Sequence, residues 1–131
     1  MCCDGKQALL YVIIVCSNSV YSLASLFLPS VYESKDVAGF WVGIVFAMYS
    51  IASVITSPII GKFIDKIGYA NALCFAQIMM GCAIIPIGYL MEVENSNVAV
   101  GLGILLRTMQ GVASATINTT CFSLAATKYS D

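Results

Sequence analysis

The sequence predicts an all-α membrane protein in which four hydrophobic helices form one polytopic helix bundle. Of its 131 residues, 60% are hydrophobic and 10% are charged, whereas soluble domains contain about 45–50% and about 25% of these classes. The few charged residues are gathered at the ends of long uncharged stretches. A chain this short has too little interior to shield so much apolar surface from water, so we expect lipid to cover it.

Three stretches without a charged residue predict the first three helices. They lie between Lys6 and Glu33, between Asp36 and Lys62, and between Lys66 and Glu92. Each is long enough for the ~20 apolar residues that a spanning helix needs. The predicted spans are about Ala8–Leu28, Val37–Ile60 and Gly68–Met91. The first is too long for the apolar part of a secretory signal peptide, and no Ala-x-Ala-like cleavage site follows it.

The fourth predicted helix covers about Val98–Thr127 and contains one charged residue, Arg107. At ~1.5 Å per residue it exceeds a hydrocarbon core of ~30 Å. Such a helix must tilt or project from the bilayer, or else the span begins near Arg107 and the residues before it lie at the interface. We expect one long helix, because Gly101–Leu106 is too apolar for a loop.

Short connections place the whole chain, residues 1–131, in one membrane domain with antiparallel neighbouring helices. They are predicted at Pro29–Asp36, Gly61–Ile67 and Glu92–Asn97. Cytoplasmic loops carry an excess of Lys and Arg, which sets the orientation. With the N-terminus inside, four lysines face the cytoplasm and one faces outside: Lys6, Lys62, Lys66 and Lys128 against Lys35. Both termini are therefore predicted to be cytoplasmic. This orientation is compatible with location in the plasma membrane and in the membrane of an intracellular vesicle.

Composition also excludes several classes of function. A net charge of −1 gives no electrostatic basis for binding nucleic acid. The chain has no His, so imidazole catalysis and histidine metal sites are excluded. Its six cysteines form no CxxC pair, and those in the spans (Cys16, Cys74, Cys82 and Cys121) are interpreted as buried small hydrophobes. We expect no metal, no cofactor and no enzymatic activity, since no span holds an acidic pair or a nucleophile with a base.

Polar side chains recur at three- and four-residue spacing in three of the helices, so each set shares one helix face. The sets are Asn18, Tyr21, Ser22 and Ser25; Tyr49, Ser50, Ser53, Thr56 and Ser57; and Arg107, Gln110, Gly111, Ser114 and Asn118. The third helix has only Asn71 and Gln77, which predicts a more peripheral position. Single Ser and Thr residues, and the small residues Gly101, Gly103 and Ala113, are interpreted as helix-packing positions.

Arg107 is the exception among the polar residues, because an arginine at mid-helix costs about 2.5–3.5 kcal/mol on insertion scales. No acidic residue lies within any predicted span. The partner of Arg107 must therefore be a backbone carbonyl, Asn18 or another neutral group, a substrate anion, or a residue on helices outside this chain. We interpret Arg107 as a functional residue in preference to one that snorkels to the interface.

Two segments together resemble signatures of the major facilitator superfamily. Gly61–Gly68, with the sequence GKFIDKIG, resembles G-x-x-x-D-R/K-x-G, which follows the second span on the cytoplasmic side in that family. Arg107–Ala113, with the sequence RTMQGVA, resembles the fourth-helix signature R-x-x-Q-G-x-G. The chain departs from the family at Tyr69-Ala70, where a basic pair is usual, and at Ala113, where Gly is usual. Phe27-Leu28-Pro29 and the serine-rich fourth helix look most like the vesicular amine and polyamine transporter-like branch.

The resemblance implies residue roles. The family's cytoplasmic signature latches two six-helix halves together, which assigns a latch to Gly61, Asp65, Lys66 and Gly68. Its fourth-helix arginine and glutamine are linked to substrate or proton coupling. Together with the polar faces, this gives Arg107, Gln110, Asn18, Tyr21, Ser114 and Asn118 as substrate or coupling candidates.

The resemblance also implies transport of a small organic solute by a secondary transporter coupled to a proton or ion gradient. The family has about twelve spans with the site between its halves, so this chain is expected to be an incomplete N-terminal portion. Its expected partners are the solute, the bilayer, and missing helices or a complementary half. The alternative is a free-standing four-helix scaffold or accessory protein, which the short outer loops and the two signatures disfavour.

Overall fold

Four α-helices joined by short turns make up the computed structural model, which describes residues 4–90 and 92–129. The helices are α1 (Asp4–Glu33), α2 (Gly39–Ile67), α3 (Tyr69–Tyr89) and α4 (Ser96–Tyr129). Within these residues there is no strand. Each helix holds a segment long and apolar enough to cross a bilayer, at Tyr11–Glu33, Gly39–Ile67, Tyr69–Tyr89 and Ser96–Thr127. The predicted all-α class with four membrane-crossing helices is confirmed.

Much of each of the first two predicted connections is helical. α1 continues through Pro29 to Glu33, and α2 continues through the whole of 61–67. Charged residues mark where the chain meets water, whereas a helix ends where its backbone hydrogen bonds end. The two limits therefore differ by one or two turns. The predicted third span ends at Met91, which lies outside the described residues.

The turn after α1 is closed by an aspartate in a left-handed conformation. Asp36 has φ of 53°, a region that Asp enters more readily than most residues. The amide of Val37 donates to the carbonyl of Tyr32 at 3.1 Å, and that of Asp36 donates to Glu33 at 3.2 Å. This pattern satisfies the last carbonyls of α1 in the manner of a Schellman motif.

α4 lies at the centre of the bundle and packs mainly against α2 and α3, while α1 packs most loosely. Half of the apolar segment of α4 is buried inside the protein, whereas only 11–22% of the corresponding segment is buried in each of the other helices. The third helix is peripheral relative to α2 and α4, since it packs along α4 and little against α1 or α2, but it packs more closely than α1. Its contact with α4 is made by small side chains, because α3 buries Ala72, Ala76 and Ala83 together with Met80. Small apolar side chains let two helices approach closely.

Two glycines of α4 mark its closest contacts. A Cβ on Gly111 would collide with the backbone carbonyl oxygen of Tyr49, and one on Gly103 would overlap the Tyr32 hydroxyl. That hydroxyl donates to the carbonyl of Ala99 at 3.3 Å. No atom of another described helix lies within 4 Å of a Cβ placed on Gly101. Gly103 therefore is a packing position and Gly101, contrary to the prediction, is not.

We expect Gly103→Ala to destabilise the bundle by about 1–3 kcal/mol, the usual cost of overpacking. The buried Tyr32 ring has no room to retreat, since the side chain is fully enclosed. Adding Tyr32→Phe removes the hydroxyl that collides and should restore part of the lost free energy of unfolding. Unfolding in mixed detergent micelles measures this. Equal stability of the single and double variants would contradict the packing assigned to Gly103.

The outer surface of the bundle is apolar, as a surface that faces lipid must be. Large side chains such as Leu26, Phe40 and Val54 are more than 70% exposed. Three cysteines are exposed on this surface (Cys16, Cys74 and Cys82), and Cys121 is buried. The interpretation of the span cysteines as buried is wrong for those three, because a small apolar residue in a membrane protein has no need to face inward.

Candidate functional site

Arg107 of α4 is enclosed by side chains from three helices. Its side chain is 0% exposed and is the largest that the described residues bury completely. Nη1 donates to Oε1 of Gln110 at 3.3 Å, and Nη2 donates to Oγ of Ser25 at a longer 3.5 Å. The guanidinium carbon lies 4.7 Å from the ring centroid of Phe46 and 5.6 Å from that of Tyr21. We call these five residues the arginine cage.

A polar chain extends from the cage along the inner face of α4. Tyr21 of α1 stacks on Tyr49 of α2, with ring centroids 4.5 Å apart and planes at 28°. The Tyr49 hydroxyl donates to Oγ of Ser114 at 2.9 Å, and Nδ2 of Asn118 donates to the same oxygen at 3.5 Å. Aromatic contacts and hydrogen bonds thus join α1, α2 and α4.

The close approach of α2 and α4 makes this chain possible. Gly111 brings the backbone of α4 against the carbonyl of Tyr49, and Ser114 lies one turn further along the same face. Hence the Tyr49 hydroxyl can reach Ser114. Aromatic side chains with one polar atom suit this position, because the ring packs between helices while the hydroxyl finds a partner.

Three buried polar atoms have no hydrogen-bond partner among the described residues: Nε of Arg107, Nε2 of Gln110 and Oγ of Ser17. Two of the three lie in the cage. No carboxylate pairs with Arg107 there, since the acidic side chains of the described helices lie at the helix ends. The cage therefore combines a cation with a surplus of donors.

Five of the six substrate or coupling candidates come together in this region. Arg107, Gln110 and Tyr21 are in the cage, while Ser114 and Asn118 follow along α4. Asn18 is exposed, and its Nδ2 donates to the carbonyl of Ile14 in its own helix at 2.8 Å. It is therefore not the partner of Arg107 in this conformation, and a helix-backbone hydrogen bond satisfies it.

Sequence reasoning missed Phe46 as a member of the cage and gave Ser25 and Tyr49 no role beyond a shared polar face. Phe46 lies three residues before Tyr49, so both point from the same side of α2. The shared face could be predicted from this spacing. The contact between Phe46 and the guanidinium could not, because a phenylalanine in an apolar stretch does not differ in sequence from one that faces lipid.

The predicted latch lies in the last turns of α2, and only its final residue, Gly68, lies outside a helix. Gly68 separates α2 from α3 with φ of 85°, a conformation that favours glycine. Oδ1 of Asp65 accepts a hydrogen bond from the hydroxyl of Tyr69 at 2.9 Å. Gly61 and Lys66 are exposed. Tyr69 stands where the family usually has a basic residue, so here a phenol engages the aspartate.

A comparison with protein families identifies the chain more directly than either signature does. The family model described as the Major Facilitator Superfamily matches residues 5–131. No curated protein and no solved structure gives a significant match. The match covers nearly the whole chain and all four apolar helices, which confirms the superfamily that the two signatures indicated. The chain belongs to the major facilitator superfamily, whose members carry out transport across membranes.

Proposed function

We propose that these helices are the N-terminal part of a secondary transporter for a small organic solute, coupled to a proton or ion gradient. The observation that supports this most is the cage: a guanidinium enclosed at mid-helix by polar and aromatic groups. In such a transporter the site lies near the bilayer midplane, and the two halves rock around it. Solute binding drives the motion through different affinities for the inward- and outward-open states.

Energetics favour this function over a free-standing scaffold. Burying Arg107 costs about 2.5–3.5 kcal/mol or more. Each of the two ring contacts with the cation returns about 0.5–2 kcal/mol, and the hydrogen bonds to Gln110 and Ser25 are long at 3.3 and 3.5 Å. These contacts can offset the cost of burial, but they leave two donors of the cage without an acceptor. A binding site makes use of such donors, whereas a scaffold would be served as well by a leucine at position 107.

Further helices are part of this proposal. The carboxylates of the described helices lie only at the helix ends, so the residue that carries a proton would lie on other helices of the same transporter. Those helices would complete the cavity and provide the surface that the latch contacts. We further propose that both termini face the cytoplasm, which the lysine distribution supports.

The resemblance to the vesicular amine and polyamine branch is a second candidate at the level of substrate. It rests on Phe27-Leu28-Pro29 and on the polar fourth helix. In the structure Pro29 lies inside α1, one turn before its end, and the charge buried among the described residues, that of Arg107, is positive. A cationic solute would be repelled by Arg107, so we favour the general transporter over this branch.

Uptake into proteoliposomes tests the proposed function. The full product of the gene, purified and reconstituted, is given a panel of labelled carboxylates, amines and sugars under an imposed proton gradient. We expect concentrative uptake of at least one class, abolished by an ionophore that dissipates the gradient. Absence of uptake for every class, together with an intact folded protein, would favour the scaffold.

The latch gives a second prediction. Asp65→Asn weakens the hydrogen bond from Tyr69, and a bond of about 1 kcal/mol corresponds to about a fivefold change in rate. We expect turnover in the full gene product to fall by about that factor while the KM changes by less than about twofold. Tyr69→Phe removes the same bond and should reproduce the effect. Unchanged turnover in both variants would remove this pair from the latch.

A further inference from the structure

The two unpartnered donors in the cage belong to adjacent side chains. Arg107 and Gln110 are 0% and 1% exposed, and Nε of the first and Nε2 of the second lack an acceptor. The orientation of the amide follows from chemistry, because a guanidinium only donates. Oε1 must therefore face Nη1, which leaves Nε2 as a donor with nothing to receive it. Unsatisfied buried donors destabilise the protein until an acceptor arrives.

The positive charge of the cage is also uncompensated by any formal negative charge. The carboxylates whose side chains the structure describes all lie at helix ends or in the turns between helices (Glu33, Asp36, Asp65, Glu92 and Glu94). The rings of Phe46 and Tyr21 stabilise the cation through their faces. A ring face provides no lone pair for Nε–H or for the amide of Gln110. A partner that satisfied both the donors and the charge would therefore be an acceptor and an anion.

We infer that the cage binds an oxyanion group of the transported solute, a carboxylate or a phosphate. Its oxygens would accept hydrogen bonds from Nε of Arg107 and Nε2 of Gln110 while its charge neutralises the guanidinium. A planar guanidinium suits carboxylate and phosphate oxygens better than any neutral acceptor. An amine would add a second cation and further donors. This inference rests on the proposed function, because it assigns the solute class of that transporter.

The cage is enclosed, so a solute would reach it only after a helix shifts. Tyr21 and Ser25 place α1 against the guanidinium. Because α1 packs most loosely on the other helices, it is the helix that we expect to move. An acidic side chain on a helix outside this chain has the same chemistry as the solute, so the test must separate the two sources.

Arg107 is the only arginine in the chain, so labelling with [¹⁵Nε]arginine gives one Nε–H resonance. The chain in lipid nanodiscs is titrated at constant ionic strength with benzoate, acetate, inorganic phosphate, benzylamine and benzyl alcohol. We expect a saturable shift with at least one anion and none with benzylamine or benzyl alcohol. A shift with benzylamine or benzyl alcohol equal to that with the anions overturns the inference, and so does the lack of any response to all three anions.

Gln110→Glu tests whether the anion-induced shift of the Nε–H resonance arises from binding in the cage. It places a carboxylate beside the guanidinium without changing the size of the side chain, so we expect the anion-induced shift to disappear. Gln110→Leu removes only donor and acceptor, and should weaken anion binding by about tenfold or more. Thr108→Val is the control, because the Thr108 hydroxyl bonds the carbonyl of Ile104 in its own helix. An anion response that survives Gln110→Glu contradicts the site.

The source of the oxyanion is decided in the full gene product. If the solute supplies it, benzoate or another anion of the panel inhibits uptake, and only carboxylates or phosphates are transported. If an acidic side chain of another helix fills the cage, anions have no effect and the inference fails. The proposed function is judged separately, since concentrative uptake of an amine or a sugar would uphold transport while overturning the solute class.

Discussion

Arg107→Met is expected to reduce solute uptake by about a hundredfold or more in the full gene product, while the protein still inserts and folds. The change removes the charge that would neutralise the solute and one of the two hydrogen bonds offered to it, that from Nε; a hydrogen bond to a charged group contributes about 1.5–3 kcal/mol, or roughly tenfold to a hundredfold in affinity. The substitution takes a hydrogen-bond donor away from only two neighbouring side chains, Gln110 and Ser25. Initial rates of uptake into proteoliposomes measure the effect.

The stability of the same variant separates a functional residue from a structural one. An arginine at mid-helix costs about 2.5–3.5 kcal/mol on insertion scales, and an apolar methionine does not carry that cost. We therefore expect the thermal unfolding temperature of Arg107→Met to stay unchanged or to rise. Thr108→Val serves as the neighbouring control and should retain uptake. Normal transport by Arg107→Met would remove the residue from the site, and a large loss of stability would make it structural.

Gly111→Ala should be the most damaging of the packing changes. The new methyl group would collide with the backbone carbonyl of Tyr49 and lie 3.0 Å from Cβ of Ala52. Backbone cannot rotate away as a side chain can, so α2 and α4 must separate. We expect a loss of about 1–3 kcal/mol in the free energy of unfolding, together with lower uptake, because the Tyr49–Ser114 hydrogen bond is stretched.

Gly101→Ala is the matched control on the same helix. No atom of another described helix lies within 4 Å of the added methyl group, so only the helix preference for alanine operates. That preference stabilises by about 0.5–1 kcal/mol. Denaturation of the two variants in mixed micelles should therefore give changes of opposite sign. A Gly111→Ala variant as stable as Gly101→Ala would contradict the close approach of α2 and α4.

Much of the architecture was predictable because the bilayer imposes strong limits on sequence. A run of ~20 residues without charge has few stable arrangements other than a spanning helix, and four such runs were evident. Helix ends were not predictable in the same way. Pro29 and Gly61 read as loop residues, yet they lie within helices, because proline and glycine are tolerated in membrane helices whose neighbours satisfy the backbone.

The centre of the site was predictable and its surroundings were not. An arginine within an apolar helix is costly wherever it lies, so Arg107 stood out without any structure. Which groups surround it depends on helix rotation and on close approach at residues such as Gly111. Spacing along one helix says nothing of either. Asn18 was therefore predicted as a site residue because it shares a helix face with Tyr21. In the structure its side chain is exposed and donates a hydrogen bond to the backbone of its own helix.

The exchange and solvent access of the Arg107 Nε–H test the central claim most directly, which is that a charged guanidinium lies inside the bundle. The chain with [¹⁵Nε]arginine in lipid nanodiscs is exposed to a water-soluble gadolinium chelate, with free arginine as the reference. We predict a persistent resonance that the chelate does not broaden and that exchanges slowly with water. Broadening and exchange like those of free arginine would show that the side chain reaches the aqueous interface, and would contradict the account.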